Sequence, residues 1–298
     1  MWGELEFATA LVVSGLSIGL MYSLIALGFV LVYKATDAIN FAQGEFVMLA
    51  GFVAALVLGV KGMPVLGAVV AALAVMIVFS FALERVVLRP LLGRPVVAVI
   101  MATIGLGAIL RGLPPITVGG ETRALPLPIG DTPITLGPIS LPPIQVLGVI
   151  VTLLFLAVFT WFFLKSRMGV AMRAVADNQQ VAMAMGINVE RYFALAWAMA
   201  GTVSALGGVI WGSMLGVDVH LALVGLKVFP VVILGGLDSI VGAVIGGLIV
   251  GVVESLAAGY LDPYVGGGTK DFAPYVLMIL MLMFKPYGMF GTHRIERV

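Results

Sequence analysis

No cysteine occurs in the chain, which excludes disulfides, thiolate metal sites and a thiol nucleophile. Histidine is almost as scarce. His220 and His293 are the two present, far apart and outside any H-E-x-x-H pattern, so no zinc site is expected. Charged residues make up 10% of the 298, against about a quarter in soluble domains. The net charge is +1, which gives no reason to expect nucleic acid as a partner. There is no G-x-x-x-x-G-K-[ST], so a phosphate-binding loop for ATP is absent, and no G-x-S-x-G elbow is found. "GLGAIL" at 105–110 and "GGLDS" at 235–239 match no phosphate fingerprint and read as packing glycines. No cluster of nucleophile, base or metal ligand emerges, so neither an enzyme nor a resident cofactor is expected. The opening "MWGELEF" has two acidic residues and no basic one, unlike a secretory signal. The first helix is therefore expected to be retained.

What the chain does contain is apolar length. It is 61% hydrophobic, and runs of about 20 apolar residues, enough to cross a bilayer, recur throughout. Spans are expected near 9–33, 44–60, 64–83, 95–113, 144–164, 191–216, 221–237, 239–258 and 272–290. The seventh holds Lys227 and Pro230 and ends in a glycine pair, so a broken or re-entrant helix is expected there. The fold class is all-α: a polytopic integral membrane protein of eight or nine transmembrane helices in one domain over 1–298. Lys and Arg then set the orientation. With the N-terminus outside, the inner segments hold Lys34, Arg85, Arg89, Arg94, Lys165, Arg167, Arg173, Arg191, Lys285, Arg294 and Arg297. Lys61, Arg111, Arg123, Lys227 and Lys270 remain outside or within the membrane. Eleven of 16 basic residues inside favours N-out and C-in. The Pro-rich stretch 114–143 is then an extended, turn-rich external lid rather than a helix, and 165–190 is a cytoplasmic loop.

Polar groups within the membrane are costly and commonly functional. In "DAINFAQGEFVMLAG" (37–51), Asn40, Gln43 and Glu45 stand where an apolar run restarts. They are either helix caps or part of an interrupted helix whose free ends hold a polar solute. In "KVFPVVILGGLDSIVGAVIGG" (227–247), Pro230 and the glycine pair break the run, and Asp238 and Ser239 are expected to cap the next helix. The two interruptions occupy similar places, which hints at an internal repeat. Glu254 is a lone acid deeper in the next span. Pairs such as Gly15/Gly19, Gly208/Gly212, Gly212/Gly216, Gly242/Gly246 and Gly247/Gly251 allow close helix approach.

The longest charged loop contains "DNQQVAMAMGI" (177–187). Asp177 is expected as N-cap with Gln180 reaching back, a capping-box arrangement. Gly186 is expected in the left-handed turn after the helix. The helix over about 178–185 places Val181, Ala182 and Met185 on one face, with Met183 beside it. Two turns are marginal alone in water. The segment therefore lies on its own bundle or at the lipid interface, or docks into a cytoplasmic partner through its adaptable methionines.

Four blocks in order carry a family resemblance: "GLMYSLIALGFVLVYKATDAINFAQGEFVMLAG" (19–51), "MATIGLGAILRGL" (101–113), "SRMGVAMRAVADNQQVAMAMGINVERYFALAWAMAGTVSALGGVI" (166–210) and "VILGGLDSIVGAVIGGLIVGVVE" (232–254). The chain resembles, over 9–290, the LivH-like permease subunits of branched-chain amino acid ABC importers. The resemblance implies a multi-pass subunit of the bacterial inner membrane. Its implied partners are a second homologous permease, two ATP-binding subunits that hold ATP and magnesium, and a periplasmic solute-binding protein. Residues 171–187 would be the coupling region on an ATPase, with Arg173, Asp177, Gln180, Val181, Met185 and Gly186 as its key positions. Gly186 matches the glycine of the loop motif shared by ABC permeases. The Glu-Ala-Ala that opens that motif is replaced by "AVA" and "VAMAM". Asn40, Gln43, Glu45, Asp238 and Ser239 are the expected translocation-path residues. The solute is a branched-chain or other amino acid, or alternatively urea, a short amide or an organic acid. An ion-coupled secondary transporter is the rival of another class. It would place acids or histidines mid-membrane, for which Glu45, Asp238 and Glu254 are the candidates.

Overall fold

The computed structural model describes residues 2–60, 63–91, 94–130, 132–137 and 139–292; Lys61, His293, Arg294 and Arg297 lie outside them. Each expected apolar run is helical. In chain order they are α1 (Trp2–Thr36), α2 (Gln43–Leu58), α3 (Val65–Leu83), α4 (Val96–Thr117), α5 (Pro143–Lys165), α6 (Arg167–Asp177), α7 (Gln179–Ala184), α8 (Val189–Leu215), α9 (Leu223–Gly235), α10 (Ile240–Tyr260), α11 (Asp262–Val265) and α12 (Thr269–Phe284). Six of the described helices are long and apolar enough to cross a membrane; α2, α9 and α12 are shorter. Two expectations need correction. α4 runs through Pro114 and Pro115 to Thr117, so the helix takes the first residues assigned to the external lid. α9 likewise continues through Pro230, and the interruption falls at Gly236–Ser239 instead. Among the described residues, 118–142 are non-helical. They contain a short antiparallel pair, β1 (Ile134–Leu136) and β2 (Ile139–Leu141).

The chain forms two compact units. One comprises 1–30, 129–153 and 226–298. Here α1 and α10 cross with backbones in near contact. A Cβ built at Gly19 would lie 2.4 Å from the Gly247 carbonyl oxygen, and one at Gly251 would lie 2.3 Å from that of Gly15. The Ser255 hydroxyl donates to the Leu11 carbonyl at 2.8 Å. In lipid there is little hydrophobic force between helices, so close van der Waals approach and such bonds hold the pair.

The other unit comprises 31–128 and 154–225. Its centre is α2, buried between α3 and α8. Phe46 meets Phe79 edge-on at 5.4 Å and leans on Trp197. Gly201 admits Ser80, and Gly208 admits the Val47 carbonyl. At the end of α8, Arg123 and Val217 exchange backbone hydrogen bonds at 2.9 and 2.8 Å, and Thr122 donates to Asp218 at 2.8 Å. Burial works against the charge of Asp218, but the Thr122 hydroxyl and the His220 backbone and ring together hold its carboxyl below the usual carboxylate range.

Gly19→Val should push α1 from α10, an overpacking that costs about 1–3 kcal/mol or more. Thermal unfolding in detergent should show a clear drop in Tm, while Ala at the open Gly105 should not. Asp218 gives a pH prediction. A depressed folded-state value stabilises above the unfolded value, near 3.9, and that contribution is lost as pH falls through the depressed value. Thr122→Val should therefore lower Tm at neutral pH, with the gap to wild type narrowing below about pH 4. An unchanged gap at both pH values would contradict this.

Candidate functional site

The first interruption comes directly after α1. Asp37 takes a positive φ of 55°, and the chain turns through residues 37–42 before α2 begins. Asn40 and Gln43 are fully buried and bonded to each other. The Asn40 amide donates to Gln43 Oε1 at 3.0 Å, and Asn40 Oδ1 accepts from the Ala42 N–H at 3.1 Å. Gln43 Nε2 donates to Ser204 Oγ at 2.9 Å on α8. The Phe41 N–H donates to Thr103 Oγ1 at 3.3 Å. Thr103 is the eighth residue of α4, so this turn sits about 10 Å along a helix about 33 Å long. The turn therefore meets α4 about a third of the way along it. Gly44 allows a close approach: a Cβ there would lie 2.2 Å from the Ala222 carbonyl oxygen.

Glu45, in the first turn of α2, is buried and ion-paired with Arg111 of α4. A Cβ at Gly107 would crowd the Glu45 carboxylate at 3.3 Å, so the glycine gives it room. The Arg111 side chain is 48% exposed.

The second interruption lies in the other unit. Ser239 caps α10, accepting from the Gly242 N–H at 2.9 Å. Asp238 does not cap that helix in company with it. Its carboxylate accepts instead from Thr292 at the C-terminal segment. The same segment supplies the Met289 and Phe290 N–H groups to the Leu234 and Gly235 carbonyls at 2.9 and 3.0 Å. These are the carbonyls left open by the end of α9. In this unit Lys227 bridges Glu254 at 3.0 Å and Asp271 at 2.7 Å.

The loop after α5 forms two helices, α6 and α7. The cap of α7 is Asn178, whose side chain accepts from the Val181 N–H at 3.0 Å. Asp177 is instead the last residue of α6, so the expected cap is displaced by one residue. Gln180 is exposed, one position too early for the expected reach-back. Gly186 has φ +82°, the left-handed turn expected. The face also needs correction. Ala182 is 2% exposed and packs inward, whereas Val181, Met183 and Met185 are exposed, Met185 at 78%. Arg173 folds back on α5, donating to the Phe163 carbonyl and stacking over the Phe163 ring. Gln179 Nε2 donates to the Ala35 carbonyl at 3.1 Å, which ties α7 to the last turn of α1. Between them lies a cavity of about 80 Å³ lined by Thr36, Ala38, Glu84, Gln179, Phe193 and Trp197 among others.

Residues 11–284 match the family model described as the branched-chain amino acid transport system permease component. The chain belongs to that permease family. It is 32% identical to the high-affinity branched-chain amino acid transport system permease protein BraD of Pseudomonas aeruginosa, over 96% of both chains. It is equally similar to the permease protein LivH of Escherichia coli, again over 96% of each. In fold it resembles PsaBC from Streptococcus pneumoniae, solved in complex with Fab, with a TM-score of 0.51 at 12% identity over 94% of this chain and 92% of that one. This permease is a multi-pass protein of the bacterial inner membrane.

Several partners in this permease escaped sequence reasoning. Ser204 is one small residue in a Gly- and Ala-rich helix, and nothing local marks it as the acceptor for Gln43. Arg111 could have been paired with Glu45 only by knowing that α2 and α4 are neighbours. Glu84 and Arg89 bond through both carboxylate oxygens, at 3.1 and 3.0 Å. Their five-residue spacing suits the π turn at Glu84–Leu88 and is a signal the sequence did carry. Gln43→Leu should strand the Asn40 amide, while the Ser204 hydroxyl keeps its bond to the Ala200 carbonyl at 2.8 Å. A stranded buried group costs about 1–3 kcal/mol, so a loss of Tm is expected. Ser204→Ala should cost less, and an unshifted Tm for Gln43→Leu would show the network to be dispensable.

Proposed function

We propose that this permease is the membrane subunit of an ATP-binding-cassette importer for branched-chain or other small amino acids. It would form half of the translocation pathway beside a second, homologous permease. The N-terminus would be external and the C-terminus internal, as the Lys and Arg distribution favours. ATP and magnesium would be held by two ATPase subunits, since this chain lacks a phosphate-binding loop, and a soluble binding protein would deliver the solute. The related BraD and LivH proteins, named for branched-chain amino acid transport, support the solute class. The break at 37–42 with Asn40, Gln43 and Glu45, and that at 236–239 with Asp238 and Ser239, would be the two points where the path meets interrupted helices.

The observation that carries the reading is the cytoplasmic loop. α7 is six residues long and too short to persist on its own, yet it presents Val181, Met183 and Met185 outward. Its inner side is fixed by Ala182 and by the Gln179 bond to Ala35. An exposed apolar face on an anchored helix suits a partner's groove. A push on α7 would reach the end of α1 through that bond, immediately before the first interruption. Closure of the ATPases on ATP would thus be passed to the membrane helices. Arg173, with Asp177 and Gln180 on the exposed side, would set the posture of this loop. Glu45, Asp238 and Glu254 are each engaged by another residue, which disfavours the ion-coupled alternative.

Met185→Glu places an unpaired charge in the proposed docking face. It should reduce co-purification of the ATPases and abolish solute-stimulated ATP hydrolysis, while the permease keeps its own Tm. Gly186→Val should strain the left-handed turn by about 1 kcal/mol or more and have a milder effect. Full association and activity of Met185→Glu would remove the coupling role.

A further inference from the structure

Arg111 is a basic residue on a membrane helix that the roles above do not use. It lies six residues before the end of α4, about 9 Å along the axis. An arginine there would ordinarily extend its stem toward the headgroups. Here the guanidinium turns to Glu45 instead, at the level of the first interruption. One terminal nitrogen, Nη2, is engaged by Glu45. The guanidinium has five N–H donors in a planar fork, and the side chain is 48% exposed. Ile104, Ala108 and Arg111 are exposed and fall at i, i+4 and i+7, on one stripe of the helix. Ala108 is too small to cover the fork, and Ile104 offers an aliphatic neighbour two turns away.

We propose that Arg111, held in place by Glu45, is a binding station for the carboxylate of the translocated solute. Resting on the amino-acid reading above, the inference adds the group that recognises the acid end. The guanidinium fork matches a carboxylate with two parallel bonds, which a lysine cannot reproduce. The exposed stripe beside it accepts a branched alkyl chain. Glu45 is a positioning residue. It lowers the cost of a cation at this depth and offsets part of its charge, so the solute is held weakly enough to leave, as passage through any pore requires. A lipid phosphate is the competing source of anionic oxygens.

The test uses the complete importer reconstituted in vesicles with its binding protein and L-leucine. Two permease variants are compared with wild type: Arg111→Lys and the neutral double Glu45→Gln/Arg111→Gln. With assembled complex at the wild-type amount, both should cut leucine uptake by about tenfold or more, about 1.4 kcal/mol or more. ATP hydrolysis stimulated by the loaded binding protein should persist, so that leucine moved per ATP falls. Wild-type uptake by Arg111→Lys would mean that a point charge suffices, as for a lipid headgroup, and would overturn the proposal. Wild-type uptake by the double variant would reduce the pair to a replaceable strut and overturn it equally. Failure of both variants to assemble would make the pair structural and also overturn it. If the wild type moves urea but no carboxylate-bearing solute, the amino-acid reading itself fails, independently of either variant.

Discussion

A buried helix end cannot turn to water, so each interrupted helix here has its open backbone groups satisfied from within the protein. The rest of this structure depends on how that constraint is met. At the first interruption side chains meet it: Asn40 and Gln43 close the turn and Ser204 anchors it to α8. At the second, a piece of backbone does so. The Met289 and Phe290 N–H groups cover the carbonyls at the end of α9, and Asp238 holds Thr292. The two solutions differ in kind. The first is rigid side-chain bonding in a buried site, and the second is a strap of chain laid along a helix end.

Small residues allow the close approaches around these breaks and between helices. Gly44 lets the start of α2 touch the backbone at Ala222, Gly107 admits a carboxylate, and the Gly15/Gly19 and Gly247/Gly251 pairs bring α1 and α10 together. A Cβ would come within 3.0 Å of a neighbour at each of these glycines except Gly107, where at 3.3 Å it would be tight. The glycine content is therefore a packing requirement as much as a feature of flexible chain.

Much of this was legible in the sequence because apolar length and turn residues act locally. The nine apolar runs, the Ser239 cap and the left-handed Gly186 come from span length, N-cap chemistry and positive φ. What was not legible depends on neighbours distant in the chain. Asp177 and Asn178 are both good caps, but α6 runs on through Asp177, which leaves Asn178 to cap α7. Which side of α7 faces inward is set by packing: Ala182 is buried and Met183 is exposed. Pro114, Pro115 and Pro230 were expected to end or break helices. They do not: Pro114 and Pro115 lie in the last turn of α4, and α9 runs on through Pro230. The polar partners Ser204 and Arg111 are set by which helices adjoin α2, and no periodicity encodes that.

The placement of Gln179 ties these strands together physically. Its amide holds the Ala35 carbonyl, Thr36 ends α1, and Asp37 turns the chain with a positive φ into the segment carrying Asn40 and Gln43. Five positions along the chain therefore separate Ala35, bonded to α7, from Asn40 in the buried amide network. Packed cores respond to displacement by switching between arrangements rather than stretching. The cavity beside Gln179 is lined by Thr36 and Ala38, at and just beyond the end of α1. A shift of α7 would then be absorbed at Thr36–Ala38, where a non-glycine residue already holds a left-handed conformation. Under the coupling proposed above, the left-handed turn at Asp37 would be the hinge between that loop and the interruption, with Gln43 bonded to Asn40 and Ser204 on its far side.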